Sequence, residues 1–286
     1  MKQFEASVQK KYFNGINFSD HRELNVFYSY LRGFSLLFLD TSIKNILEIG
    51  GGQSTSLLSK FGQRLGWSII TIDMNPDSIT LKLRSQIDTE DTLKNISFRK
   101  GVSISTDGIR KFYEKGFDKI GNISFDLVIK EAISFIETTM DPRRLEKVNE
   151  ALSIEKFDKN ILIQKILSDN TILPELINLY RTDGDELSFH IENNIEQFDP
   201  LLKTIMDEES IDVVFLDSGE FSSLPEWEIV EPRLRIGGYV ILHDIFFPKS
   251  FKNWLVAGSI MANSNYSVLF IDETTPQGLM VAQKNN

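Results

Sequence analysis

The sequence predicts an α/β fold: a Rossmann-like, seven-stranded, mostly parallel sheet with a C-terminal antiparallel hairpin, helices on both faces and an inserted, largely helical segment. Three observations predict it. Short apolar runs, such as NILEIG at 45–50 and WSIITID at 67–73, alternate with segments of helical period. Strand–helix alternation at this spacing implies parallel pairing through right-handed crossovers. The chain closes with two alternating runs joined by ETTPQG at 273–278, which reads as a hairpin.

The elements follow in order. Residues 1–40 form an N-terminal helical cap segment, because ELNVFYSYLRGFSLLFLD at 23–40 places apolar residues every three to four positions. An α/β domain then fills 41–286. After the strand at 45–50 comes a helix over 54–66, with Ser54 or Thr55 placed to cap it. The strand at 67–73 leads to a helix over 75–87, with Pro76 in its first turn and Asp77 beside it. From about 87 to 186 the pattern loosens into an insertion. The third core strand is NISFRKG at 95–101 by order or LSFHIEN at 187–193 by spacing, and spacing favours the second. That choice puts the insertion after the second helix, at the rim. A helix is expected over 194–210, a buried strand over 211–217 and a helix over 223–238 stopped by Gly237-Gly238. The strand YVILHDI at 239–245 and a helix over 250–263 precede the hairpin.

Composition bounds the function. The formal net charge is −10 over 286 residues, so phosphate backbones are repelled and no nucleic-acid partner is expected. There is no cysteine, which excludes disulfides, thiolate nucleophiles and cysteine metal sites. The start MKQFEASVQKKYF has no apolar core of a signal peptide, and no run is long enough to cross a membrane. A cytoplasmic location is expected, with no membrane partner. A homo-oligomer is open.

The chemistry starts at Gly50-Gly51-Gly52, where an apolar strand turns directly into a helix. Such a corner lets a ligand approach the backbone and offers it free N–H groups. Asp73 ends the next strand, where a doubly wound sheet places an acid beside the corner to accept ribose hydroxyls. A dinucleotide fingerprint would need glycine at 55, and Thr55 stands there.

Glu48-Ile49-Gly50-Gly51-Gly52, an acid-x-Gly-x-Gly motif, together with Asp73, IDVVFLD, RIGGYVILHD and the terminal hairpin, resembles the class I S-adenosylmethionine-dependent methyltransferases over residues 45–86 and 187–284. The resemblance implies S-adenosylmethionine as cofactor. It implies that Gly50 and Gly52 line its methionine part, with Gly51, Ser54 and Thr55 completing the corner. Glu48 then helps to hold its amino end, directly or through the loop. Asp73 binds the ribose, Met74 packs on the adenine, and Asn194 takes the place near the adenine amino group where the family often carries Asp.

Asp217, His243 and Asp244 end the fourth and fifth core strands, where open α/β sheets bind ligands. Their pattern resembles small-molecule O-methyltransferases, including metal-dependent ones. In those, acids at these strand ends hold a divalent cation, such as Mg²⁺, that acidifies the substrate hydroxyl. Asp217, His243 and Asp244 are therefore candidate metal ligands. Equally, His243 is a candidate metal-free general base oriented by Asp244. Glu220 stands where many relatives carry His. Of the other histidines, His190 reads as structural and His21 as part of the cap. The expected function is methyl transfer to a hydroxyl, less readily an amine, of a small molecule. A non-catalytic binding protein and a nicotinamide oxidoreductase are the alternatives.

Overall fold

The computed structural model describes residues 21–77, 94–109, 199–205, 210–246 and 250–286, with isolated positions between 146 and 164. The described elements are α1 (His21–Ser35), β1 (Asn45–Ile49), α2 (Gln53–Leu65), β2 (Ser68–Asp73), β3 (Ile96–Lys100), β4 (Ile211–Leu216), α3 (Ser223–Val230), β5 (Leu234–His243), α4 (Trp254–Ala262), β6 (Tyr266–Asp272) and β7 (Leu279–Lys284).

Seven strands form one sheet in the order β3-β2-β1-β4-β5-β7-β6. Strands β1 to β5 pair in parallel, and β7 lies antiparallel between β5 and β6. This is the predicted mostly parallel sheet with its terminal hairpin. Parallel strands are apolar on both sides because both faces are covered. In β4, Val213 and Phe215 enter one core layer with Phe34, Leu57 and Phe61, whereas Val214 and Leu216 enter the other with Trp227 and Trp254. Helices α1 and α2 thus cover one face, and α3 and α4 the other. Helix α1 approaches β7 closely: a Cβ on Gly33 would lie 2.8 Å from Leu279 Cδ2. An ion pair between Arg32 and the buried Asp272 ties α1 to the hairpin.

Four expectations change. The third strand is Ile96–Lys100, paired in parallel with β2, so a stretch assigned to the insertion belongs to the sheet. Its ISFRK sequence reads weakly because it is an edge strand with a half-solvated face. The segment 187–193 lies outside the described residues. Where a helix was expected over 194–210, the described part holds an extended Pro200 and a single 3-10 turn, Leu201–Lys203, because Pro200 cannot donate to a helix passing through it. Helix α3 stops before the glycine pair. It tightens into a 3-10 turn at Glu231–Arg233 and the chain is already strand at Leu234. Gly237, at φ +76, sits in an irregularity of β5 where Leu234 pairs with Ile211 and Tyr239 with Val213. The glycines therefore bend a strand. Finally, α2 begins at Gln53 with Gly52 at its N-cap, and Thr55 Oγ1 accepts the Gly52 N–H at 2.9 Å.

Candidate functional site

The parallel strands bring the carboxyl ends of β1, β2, β3 and β4 to one edge. There a cleft of about 320 Å³ is lined by Gly50, Gly51, Asp73, Met74, Asp217 and Glu226, among others. Its volume is in the range of small-ligand sites. A wider, more open depression of about 660 Å³ lies near the amino ends of β2 and β3, around Trp67 and Asn95, away from these residues.

The glycine corner has a steric cause. Gly50 has φ +84, and a Cβ there would lie 2.2 Å from the backbone oxygen of Asp217. The turn out of β1 and the end of β4 therefore touch only because position 50 has no side chain. Gly51 donates its N–H to Asp73 Oδ2 at 3.0 Å, and Asn75 donates its N–H to Oδ1 at 2.7 Å. Asp73 is thus held at the cleft wall beside Met74. Nothing lies within 4 Å of a Cβ built on Gly52, so packing does not demand glycine at that position.

Glu48 points away from solvent and is fully buried. It accepts hydroxyl hydrogens from Ser54 (2.6 Å), Thr55 (2.9 Å) and Thr71 (2.7 Å). Burial raises its carboxyl to about 7, against the lowering effect of those three hydroxyls. Glu48, Ser54 and Thr55 therefore form a knot beneath the corner that fixes the start of α2 to β1 and β2. Asn194 lies outside the described residues. The place after the third strand belongs to Gly101–Ile104, which line the cleft. There Ser103 bonds the buried Glu226, as does Ser218. Burial raises the Glu226 carboxyl. Glu220, the other acid after β4, faces the loop instead, accepting the Phe251 N–H at 2.8 Å.

The three acid and histidine residues at the ends of β4 and β5 meet. One ligating atom from each of Asp217, His243 and Asp244 lies within 4.8 Å of the others. His243 Nδ1 faces Asp217 Oδ1 at 3.2 Å and Asp244 Oδ1 at 3.3 Å. Burial opposes the imidazolium, but the two carboxylates outweigh it and raise the His243 pKa. His243 Nε2 is buried with no hydrogen-bond partner. Asp244 adopts φ +60, a strained conformation for a non-glycine residue. It is held by its N–H to the Gly278 carbonyl and by the Asn253 N–H to its own carbonyl.

Several participants carry no local signature in the sequence. Lys252 Nζ lies 2.7 Å from Asp217 Oδ1 and 3.1 Å from Asp244 Oδ2. Burial would raise the Asp217 carboxyl, yet the Lys252 ammonium and His243 pull it well below the usual carboxylate range. Tyr30, from α1, donates its hydroxyl to Asp217 Oδ2 at 2.9 Å and lies 3.1 Å from His243 Nδ1. Asn253 donates Nδ2 hydrogens to the carbonyls of Leu216 and His243, clamping the ends of β4 and β5 together. These residues lie far from Asp217 in sequence, so only the folded topology could reveal them. A divalent cation does not fit this set as it stands, because an ammonium already bridges two of the three prospective ligands.

No family model matches the chain, and none of the curated proteins matches it. Among solved structures, it is similar to a Klebsiella pneumoniae protein described as a putative O-methyltransferase, at 12% identity and TM-score 0.43, covering 99% of this chain and 97% of that one. It is also similar to an O-methyltransferase from Bacillus cereus solved in complex with SAH, at 12% identity and TM-score 0.42, covering 99% and 88%. At this identity and these scores the likeness is a resemblance only. The fold rests on the strand order, and the site rests on its side chains.

Proposed function

We propose that the chain is an S-adenosylmethionine-dependent methyltransferase acting on a hydroxyl, less readily an amine, of a small molecule. The observation that carries this reading is the charge of the cleft. Asp73, Asp217 and Glu226 line it; of these, Asp217 is paired with Lys252, and no lysine or arginine is itself a lining residue among the described residues. A dinucleotide brings a pyrophosphate, which wants positive charge and free N–H donors. The Gly51 N–H that could serve it is bonded to Asp73. A sulfonium carrying an ammonium group suits carboxylates instead.

Bound in the cleft, the cofactor would supply a methyl group on a positively charged sulfur. The chain's own residues would do the rest. Asp73 keeps lone pairs beyond those used by Gly51 and Asn75, enough to accept ribose hydroxyls. Met74, Val102 and Ile104 offer apolar wall for a base. In the tautomer protonated at Nδ1, His243 donates that N–H to Asp217 Oδ1, beside Asp244, and keeps Nε2 as an acceptor. It then takes the proton of the substrate hydroxyl, and Asp217 and Asp244 hold the resulting imidazolium.

Thermal shift and calorimetry with S-adenosylmethionine, S-adenosylhomocysteine and NAD test the reading. The first two are expected to stabilise the chain and NAD to have no effect. Asp73→Ala should weaken cofactor binding about 10- to 100-fold, the scale of losing one or two hydrogen bonds to a charged group. Stabilisation by NAD alone, or by none of the three, overturns it. A non-catalytic binding protein is the second reading, favoured by the burial of His243 beneath Tyr30, whose ring centroid lies 4.9 Å away. Cofactor binding without turnover on any hydroxyl substrate would select it.

A further inference from the structure

We propose that Lys252 is the resident cation of the acidic site, taking the place a divalent metal would occupy. The proposal stands on four observations. First, the Lys252 ammonium touches two of the three residues that could ligate a metal, Asp217 and Asp244. Second, these contacts are shielded: the side chains of Lys252, Asp217 and Asp244 are 16%, 18% and 15% exposed. The ion pair between Lys100 and Asp77, by contrast, spans 3.8 Å with side chains 68% and 83% exposed.

Third, the backbone around Lys252 is pinned on both sides. Phe251 donates its N–H to Glu220. Asn253 is fully buried and bonds three carbonyls, those of Leu216, His243 and Asp244. The main chain that carries Lys252 is thus fixed against the ends of β4 and β5. Fourth, the carboxylates already have partners without a metal. Asp217 and Asp244 face the Lys252 ammonium and the Nδ1 of His243. A dication added to this set would sit against the ammonium, and like charges in a shielded site repel strongly.

The ammonium has three N–H donors, and Asp217 and Asp244 take two. The third is left to steady the oxygen of a substrate hydroxyl as His243 withdraws its proton. That last role rests on the methyltransferase reading; the cation assignment does not. Methyl transfer is then insensitive to chelators.

Titration with Mn²⁺, followed by electron paramagnetic resonance, tests the assignment on the wild-type chain and on Lys252→Met. The wild type is expected to bind no stoichiometric Mn²⁺. Lys252→Met leaves two facing carboxylates and a histidine, so it should lose thermal stability and gain a saturable Mn²⁺ site. Added Mn²⁺ should restore the lost stability, and a further Asp244→Asn substitution should remove the site. Stoichiometric Mn²⁺ on the wild type overturns the proposal and needs no variant to read. So does a Lys252→Met chain that melts like the wild type without metal. Binding of S-adenosylhomocysteine, measured in parallel, reports on the methyltransferase reading alone. Its absence would sink that reading and leave the Mn²⁺ result standing.

Discussion

Two shielded carboxylates, one on β1 and one at the end of the neighbouring β4, are stabilised in opposite ways. Glu48, on β1, is held by three hydroxyls and, among the described residues, no cation. Asp217, at the end of β4, is held by an ammonium, a histidine and one tyrosine hydroxyl. The strands are adjacent, with Glu48 opposite Phe215. Yet burial wins at Glu48, raising its carboxyl to about 7, while cations win at Asp217, holding it well below the usual range. Neutral dipoles replace the lost water only in part, whereas a neighbouring positive charge more than replaces it. One acid is therefore a structural knot that titrates near neutrality. The other stays ionised and can orient a base.

The largest way to break the comparison is at the point where the two regions touch. Gly50→Ala puts a methyl group 2.2 Å from the Asp217 carbonyl oxygen, at a φ of +84. Strain and overpacking together should cost about 3–5 kcal/mol, or force β1 and β4 apart at the cleft. Urea unfolding measures the first outcome, and loss of cofactor binding in a folded variant measures the second. An alanine variant as stable as the wild type would mean that the corner and the β4 end do not meet as described.

The next prediction concerns pH. The folded pKa of Glu48 lies above its ordinary value, so the folded state binds its proton more tightly than the unfolded chain does. The associated stability is fully present below the unfolded pKa, near 4.3, and is lost as pH rises through about 7. The loss is on the order of 3 kcal/mol. Glu48→Gln keeps one acceptor oxygen, enough for Thr55 and Thr71, and cannot ionise. It should therefore gain on the wild type as pH rises from 5 to 8, in denaturant melts at each pH. Parallel pH profiles for the two chains would show that Glu48 does not titrate in this window.

What was legible beforehand follows the same division. The glycine corner is local: Glu48, Gly50, Ser54 and Thr55 lie within eight residues, and Asp73 ends the very next strand. Strand and helix periods around them suffice to place all five together. Asp217, His243 and Asp244 were also legible, because each ends a strongly apolar strand. Their partners were not. Lys252 lies in a turn before α4 with nothing in its surroundings to mark it, and Tyr30 reads as one more apolar position of α1. The edge strand β3 is hard to place, since ISFRK is short and ends in two charges. The glycine pair at 237–238 reads equally as a helix stop or as a bend inside a strand, because both have the same signature.

Tyr30→Phe is the mildest test and the sharpest on the cluster of Asp217, His243 and Asp244. It removes one hydroxyl and leaves the ring, which packs edge-on against His243 and Phe215. Asp217 Oδ2 then loses its donor, but Lys252 and His243 still hold Oδ1. The expected loss is about 1.5–3 kcal/mol, the net worth of a hydrogen bond to a charged group. The loss should shrink in Asp217→Asn, where the acceptor is neutral, and a double-mutant cycle measures that coupling. If cations alone set the state of Asp217, the hydroxyl matters little and the coupling falls toward zero. A coupling as large as the whole Tyr30→Phe effect would instead make α1 part of the electrostatics around Asp217 and His243, so that the N-terminal helix is a working wall of the candidate site and not only its cover.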